Sequence, residues 1–162
     1  MRKIIIGVMG PGEKATAVDM QKAYELGKLI ATQGWVLLTG GRNVGVMDAA
    51  SRGAKSVDGL TIGILRDHDN DGISEAVDIA IFTDMGNARN NINVVSSDVV
   101  IACGMGAGTA SEVSLALKAN KKVILLSVDE ETKNFFQKLV SKNLYCANDV
   151  DNAIAITKEI LA

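Results

Sequence analysis

Short runs of almost unbroken apolar residues alternate along this chain with longer segments in which apolar residues recur every three or four positions. The runs fall at 3–9, 35–39, 60–65, 78–83, 98–103 and 122–127, with a shorter one at 144–146. An apolar run of this length between breakers predicts a strand buried on both faces, as in parallel sheets. The segments between them predict helices over about 17–33, 46–56, 87–96 and 110–119. A fifth helix is capped by Asp129 and carries Phe135, Phe136 and Leu139, and a sixth places Val150, Ala153, Ile154, Thr157, Ile160 and Leu161 on one face. In the first helix Ala23, Leu26, Gly27 and Ile30 follow the i, i+3, i+4, i+7 spacing, and Gly34 fits a C-terminal cap. Residues 66–76, rich in aspartate, read as a polar surface loop. Strand and helix alternate throughout, which predicts an α/β fold with a mostly parallel sheet of about six or seven strands and helices on both faces. Neither repeat nor linker interrupts the pattern, so a single domain is expected over 1–162.

Three of the runs lead directly into glycine loops: Gly10-Pro11-Gly12, Gly40-Gly41-Arg42-Asn43-Val44-Gly45 and Gly104-Met105-Gly106-Ala107-Gly108-Thr109. Ligands of open parallel sheets bind beyond the carboxyl ends of the strands, so all three loops belong on one edge. Without a Cβ in the way, backbone N–H groups there can approach a ligand closely. A helix opening just after such a loop adds its positive end. The pattern predicts a site for an anionic, phosphate-bearing small molecule.

Composition narrows the ligand class. Lysine plus arginine (17) nearly balances aspartate plus glutamate (19), and a net charge of -2 argues against a broad basic face for nucleic acid. No apolar stretch reaches membrane-spanning length, and glycines and charges break the first run too early for a signal peptide. Cys103 and Cys146, without ligand-like spacing, read as reduced thiols of a cytoplasmic protein. With one Trp, two Tyr and three Phe, the core is expected to be aliphatic.

Individual polar residues allow two readings each. Thr109-Ala110-Ser111-Glu112 fits a capping box, in which Thr109 caps the helix and Glu112 returns to the cap amide. Equally, Glu112 stands at the mouth of the expected site as an acid, a base or a hydroxyl binder. Arg89, within Asn87-Ala88-Arg89-Asn90-Asn91, suits a solvated helix face, yet it follows the fourth strand and so starts on the ligand edge. From there it could clamp a phosphate bidentately, as could Arg42 inside its glycine loop. Asp48 reads as a first-turn dipole partner and His68 as an exposed loop residue. Gly10-Pro11-Gly12-Glu13-Lys14-Ala15 matches G-x-G-x-x-A, but the second strand ends Leu38-Thr39-Gly40-Gly41 with no acid for a ribose. A nicotinamide dehydrogenase is therefore not expected, and no Walker G-K-[ST] occurs.

Gly40-Gly41 through Gly45-Val46-Met47, Arg89, and Gly104-x-Gly106-x-Gly108-Thr109-x-x-Glu112 together resemble a Rossmann-like superfamily, the Lonely-guy or lysine-decarboxylase-like (SLOG) proteins. Its phosphoribohydrolases carry an Arg-Lys pair followed by P-G-G-x-G-T-x-x-E. Arg89 and Glu112 match their catalytic arginine and glutamate. Asn90 stands where the lysine belongs, and Gly104-Met105-Gly106 replaces P-G-G. Over nearly the whole chain the sequence is similar to the molybdenum-cofactor carrier proteins of the same superfamily. The similarity runs through Ile5 to Gly12, Glu25 to Trp35, Leu37 to Arg42 and Gly104 to Ala119. It implies a homotetramer that binds molybdenum cofactor as cargo and hands it to molybdoenzymes. Gly10, Pro11, Gly12, Gly40, Gly41, Arg42, Asn43, Gly45, Arg89, Gly104, Met105, Gly106, Gly108, Thr109 and Glu112 would be the contacts. The alternative that the resemblance leaves is a nucleoside 5′-monophosphate phosphoribohydrolase.

Overall fold

The computed structural model describes residues 2–140 and 142–162. Seven strands form one sheet: β1 (Ile5–Met9), β2 (Val36–Thr39), β3 (Thr61–Leu65), β4 (Ile79–Phe82), β5 (Val99–Cys103), β6 (Lys122–Leu126) and β7 (Leu144–Ala147). Their order is β4-β3-β2-β1-β5-β6-β7, and each neighbouring pair is parallel. The helices are α1 (Ala17–Thr32), α2 (Gly45–Lys55), α3 (Arg89–Ser96), α4 (Ala107–Lys118), α5 (Glu130–Leu139) and α6 (Val150–Leu161), with a 3-10 turn, Gly86–Ala88, leading into α3.

Strand periodicity sorts the core into two layers, because successive side chains point to opposite faces. Ile6 and Val8 of β1, Val99, Ile101 and Cys103 of β5, and Ile124 and Leu126 of β6 pack under α1, α2 and α6. Their neighbours Val100, Ala102, Val123 and Leu125 pack with Val94 of α3, Val113 and Ala116 of α4, and Phe136 of α5. The expectation of burial on both faces holds for the central strands. It fails for β4, where Ile79, Ile81 and Phe82 are exposed because β4 is the sheet edge.

Two glycines let α1 and α2 touch backbone to backbone. A Cβ on Gly27 would run into the carbonyl of Ala50, and one on Gly53 into the carbonyl of Tyr24. Gly27 thus belongs to the apolar stripe for a reason that hydrophobic spacing does not encode. At the opposite edge from the glycine loops, two aspartates tie strand starts together. Asp98 accepts from the Ile5 amide at 2.8 Å, and Asp78 accepts from the Thr61 amide at 2.9 Å.

From β1 the chain builds outward through β2 and β3 to β4, then crosses back to β5 and builds outward the other way. The loops after β1 and β5 consequently diverge at adjacent strand ends. That divergence opens a crevice where ligands of doubly wound sheets bind.

Candidate functional site

A cleft of about 310 Å³ occupies this switch point. Gly10, Pro11 and Gly12 form one wall, Gly40 and Arg42 come from the loop after β2, and Gly106, Gly108, Thr109 and Glu112 come from the start of α4. Arg89 lies at its base. Five other residues named from sequence do not line the cleft. A Cβ on Gly41 would lie 2.9 Å from the Gly63 Cα, and one on Gly45 would strike the Pro11 and Gly12 carbonyls. Gly104 packs against the Asp19 carboxylate, 2.9 Å from where its Cβ would be. The Asn43 amide donates to the Gly72 carbonyl at 2.7 Å, and Met105 faces a separate groove beside Phe135.

The start of α4 corrects the capping-box reading. The helix begins at Ala107, and its N-cap is Gly106, in extended conformation and without a side-chain bond. Thr109 is therefore the third residue of the helix and Glu112 lies two turns in, beyond reach of a cap amide. A glycine cap leaves no sequence signal, whereas Thr109-x-x-Glu112 mimics one. First-turn amides have no acceptor within the helix. At α1, α5 and α6 the side chains of Thr16, Asp129 and Asp149 accept from one of them. At α4 no side chain does, and the first turn faces the cleft through Ala107, Gly108 and Thr109. The capping box on α1, Thr16 with Asp19, also disposes of the dinucleotide fingerprint: α1 starts well after Gly12 and its N-terminus is already occupied.

Beneath these amides lies a buried ionic network. Arg89 is 7% exposed and Glu112 is 6% exposed, with Nη1 and Oε1 3.7 Å apart. Arg89 Nη1 donates to Asn90 Oδ1 at 2.9 Å, Asn90 donates to Ser111 Oγ at 3.0 Å, and Ser111 donates to the Gly108 carbonyl at 2.7 Å. Asn90 thus links the arginine to α4 without adding a charge. Glu112 accepts from Asn93 Nδ2 at 2.9 Å. Burial pushes the Glu112 carboxyl up from its ordinary range, against the pull of the Asn93 bond and of Arg89. Burial likewise pushes Arg89 down, opposed by Glu112. Among the described residues three buried side-chain polar atoms have no hydrogen-bond partner: Arg89 Nε, Asn93 Oδ1 and Thr109 Oγ1. Leaving a buried polar atom unpaired costs about 1–3 kcal/mol, and of these residues Arg89 and Thr109 line the cleft while Asn93 does not.

Further residues line the cleft that sequence reasoning did not assign to it: Lys14, Met47, Arg66 and Asn87, together with Glu13. Arg42 reaches Glu13 at 2.8 Å rather than pointing freely inward. Arg66 read as part of a surface loop, and only the parallel pairing of β3 brings it to this edge. His68 lies outside the cleft and meets Asp84 at 3.2 Å. Asp48 pairs with Arg52 at 2.7 Å within α2. Cys103 is fully buried, with its thiol pushed up to about 12 by burial and the nearby Asp19 carboxylate, so it is not a nucleophile for the site.

Fold and cleft together define a doubly wound α/β protein whose switch-point crevice is lined by Lys14, Arg42, Arg66, Arg89 and the start of α4. The chain belongs to the SLOG cluster4 family, whose model matches residues 3–154. A molybdenum cofactor binding protein from the phototrophic bacterium Rippkaea orientalis superposes with a TM-score of 0.97 at 60% identity, covering 100% of this chain and 99% of that one. The Moco carrier protein from Chlamydomonas reinhardtii superposes with a TM-score of 0.93 at 53% identity, covering 99% and 98%. A cytokinin riboside 5′-monophosphate phosphoribohydrolase from Mycobacterium tuberculosis is 33% identical over 103 residues, which span 58% of this chain and 51% of that protein.

Proposed function

We propose that this protein binds molybdenum cofactor as cargo, protects it, and passes it on without transforming it. The observation that carries this reading is the near-complete superposition on cofactor-binding and carrier proteins at 53–60% identity. The cleft's own chemistry supports it. Molybdopterin ends in a phosphate, which suits the uncapped amides of α4, the unpartnered Thr109 hydroxyl and the Arg89 guanidinium. Its oxo-molybdenum end is also anion-like, and Arg42, Arg66 and Lys14 stand along the same cleft. Among the described residues no group of three or more His, Cys, Asp or Glu is arranged to hold a metal. The cofactor brings its own dithiolene sulfurs, so the protein's contribution is hydrogen bonds and charge.

Nucleotide hydrolysis needs polar groups preorganised around the ribose. Asn90 removes one cation from the hydrolases' Arg-Lys pair and spends its amide on Ser111. We therefore read the chain as a carrier rather than a phosphoribohydrolase, acting as a single ligand-binding domain in the cytoplasm. We place it in a homotetramer that meets molybdoenzymes as recipients. The exposed apolar edge strand β4 gives such an assembly a surface to bury.

The test is to express the protein in a cofactor-producing host and analyse what co-purifies by mass spectrometry and metal analysis. Molybdopterin with molybdenum is the expected result. Release of adenine from AMP at ordinary enzymatic rates, with no pterin retained, would replace this reading with the hydrolase one.

A further inference from the structure

Glu112 poses a problem for an anion-binding cleft. It is a carboxyl group 6% exposed, held at the base of a cavity whose other charged lining residues are the cations Lys14, Arg42, Arg66 and Arg89 and the exposed Glu13. An ionised Glu112 neutralises the most deeply placed of those cations and repels any incoming oxyanion. We infer that Glu112 makes oxyanion binding a proton-coupled event: the anion enters the cleft together with one proton, which settles on Glu112. This makes Glu112 a specificity-determining residue for cargo held through an oxyanion group, and it rests on the carrier reading of this cleft.

Geometry supports the coupling from three sides. First, at 3.7 Å the Arg89–Glu112 contact is longer than a good charge-assisted hydrogen bond, and Arg89 Nε has no acceptor. Arg89 is therefore only partly committed to Glu112 and can turn its charge to a ligand. Second, the Asn93 amide can serve both protonation states. Its Nδ2 now donates to Glu112, as an ionised carboxylate requires, while its buried Oδ1 has no donor. Turned over, the same amide would present that oxygen to a carboxylic acid O–H. Third, the other acid of the cleft is not a competitor for the proton. Glu13 is exposed, and hydrogen bonds from its own backbone amide and from Arg42 hold its carboxyl low.

The charged groups facing this region are few and their effects have definite signs. From the loop after β1 come Glu13 and Lys14, from the loop after β2 comes Arg42, after β3 comes Arg66, and from α3 comes Arg89. Arg89 favours the ionised form of Glu112, but burial outweighs it and raises the carboxyl. A bound anion adds a negative charge close to Glu112 and raises it further. By linkage, what raises proton affinity when the anion binds must raise anion affinity when the proton binds. Anion binding is therefore tightest at low pH, weakens as pH rises through the titration of Glu112, and levels off above it.

Sulfate is the probe, because its charge is constant over the range and the pH profile then reports the protein alone. Calorimetric titration of the wild type in buffers of differing ionisation heat counts protons taken up. We expect uptake approaching one proton, with affinity falling by up to about tenfold per pH unit across the transition. Glu112→Gln should show no uptake and a flat profile, and should bind sulfate more tightly than wild type at the alkaline end. A wild-type profile that is flat, or an unchanged slope in Glu112→Gln, overturns the coupling while leaving the cleft's anion reading intact. Sulfate that fails to bind the wild type anywhere in the range, where phosphate also fails, overturns both. Should the variant not fold, carbon-detected NMR of the Glu112 carboxyl in the wild type decides the matter: its midpoint must rise when sulfate is added, and an unmoved midpoint refutes the inference.

Discussion

Gly40 gives Arg89 its seat. A Cβ at Gly40 would lie 2.7 Å from Arg89 Nη2 and 2.7 Å from the Met47 sulfur, so the guanidinium occupies space beside bare backbone at the end of β2. Gly40 is thus a cleft residue less through its own amide than through the arginine it admits.

Gly40→Ala should therefore displace Arg89 and leave the fold standing, since both atoms it meets belong to side chains that can give way. We expect anion affinity to fall by roughly tenfold, about 1.4 kcal/mol, with little change in melting temperature. Phosphate or molybdopterin binding by calorimetry beside a thermal melt checks both halves. Unchanged affinity would mean that Arg89 does not need this seat.

Gly106→Asp should move stability and binding in opposite directions. The N-cap of α4 is extended, and the nearest atom to a new Cβ would be a Pro11 carbon at 3.8 Å, so an aspartate fits. Aspartate is a better N-cap than glycine, by a few tenths of a kcal/mol. The same carboxylate occupies the amides that a cargo phosphate would use. A melting temperature that holds or rises, with loss of phosphate binding, is the expected pair of results. A variant that still binds phosphate as the wild type does would remove the α4 start from the site.

Gly53→Ala and Gly27→Ala test the contact between α1 and α2. Alanine favours an isolated helix by about 1 kcal/mol. Here its methyl meets a carbonyl of the facing helix, which cannot move aside alone. Overpacking of this kind costs about 1–3 kcal/mol. We expect either variant to melt several degrees below the wild type, and one that melts higher would show that the helices can part without loss.

Asp98 sets part of the acid limit of stability. Burial alone would raise its carboxyl, but the bonds from Arg2, at 2.6 Å, and from the Ile5 amide outweigh burial and hold it below the ordinary aspartate range. A lowered carboxyl stabilises the fold above its unfolded value and loses that contribution as the pH falls through the folded one. Asp98→Asn should accordingly melt lower at neutral pH, and the two melting curves should begin to converge as pH falls below about 4, the unfolded value, and meet once it has passed below the folded one. Parallel curves down to pH 3 would show that the pair with Arg2 contributes nothing.

What could be read from the chain follows from how local each signal is. Buried strands announce themselves through runs such as Val99 to Cys103, and the loops after β1, β2 and β5 through their glycines. Arg89 needed one further step, the inference that a segment after a strand starts at the ligand edge. Arg66 was hidden because its polar neighbours describe a surface loop equally well, and nothing local records which way it turns. The start of α4 was misplaced because its true cap is a glycine. Gly41, Gly45 and Gly104 are each hemmed in by another part of the chain, and a glycine in sequence does not declare whether it makes room for a ligand or for its own protein.

Side chains cap α1, α5 and α6, while α2, α3 and α4 start without one, and α4 lines the cleft with its first turn through Ala107, Gly108 and Thr109. In a carrier that difference has a consequence for the empty protein. At the proposed site a cargo phosphate would complete the first turn of α4, and its departure would leave that turn unfinished. The first turn of α4 should then be where the empty and loaded forms differ most in amide exchange.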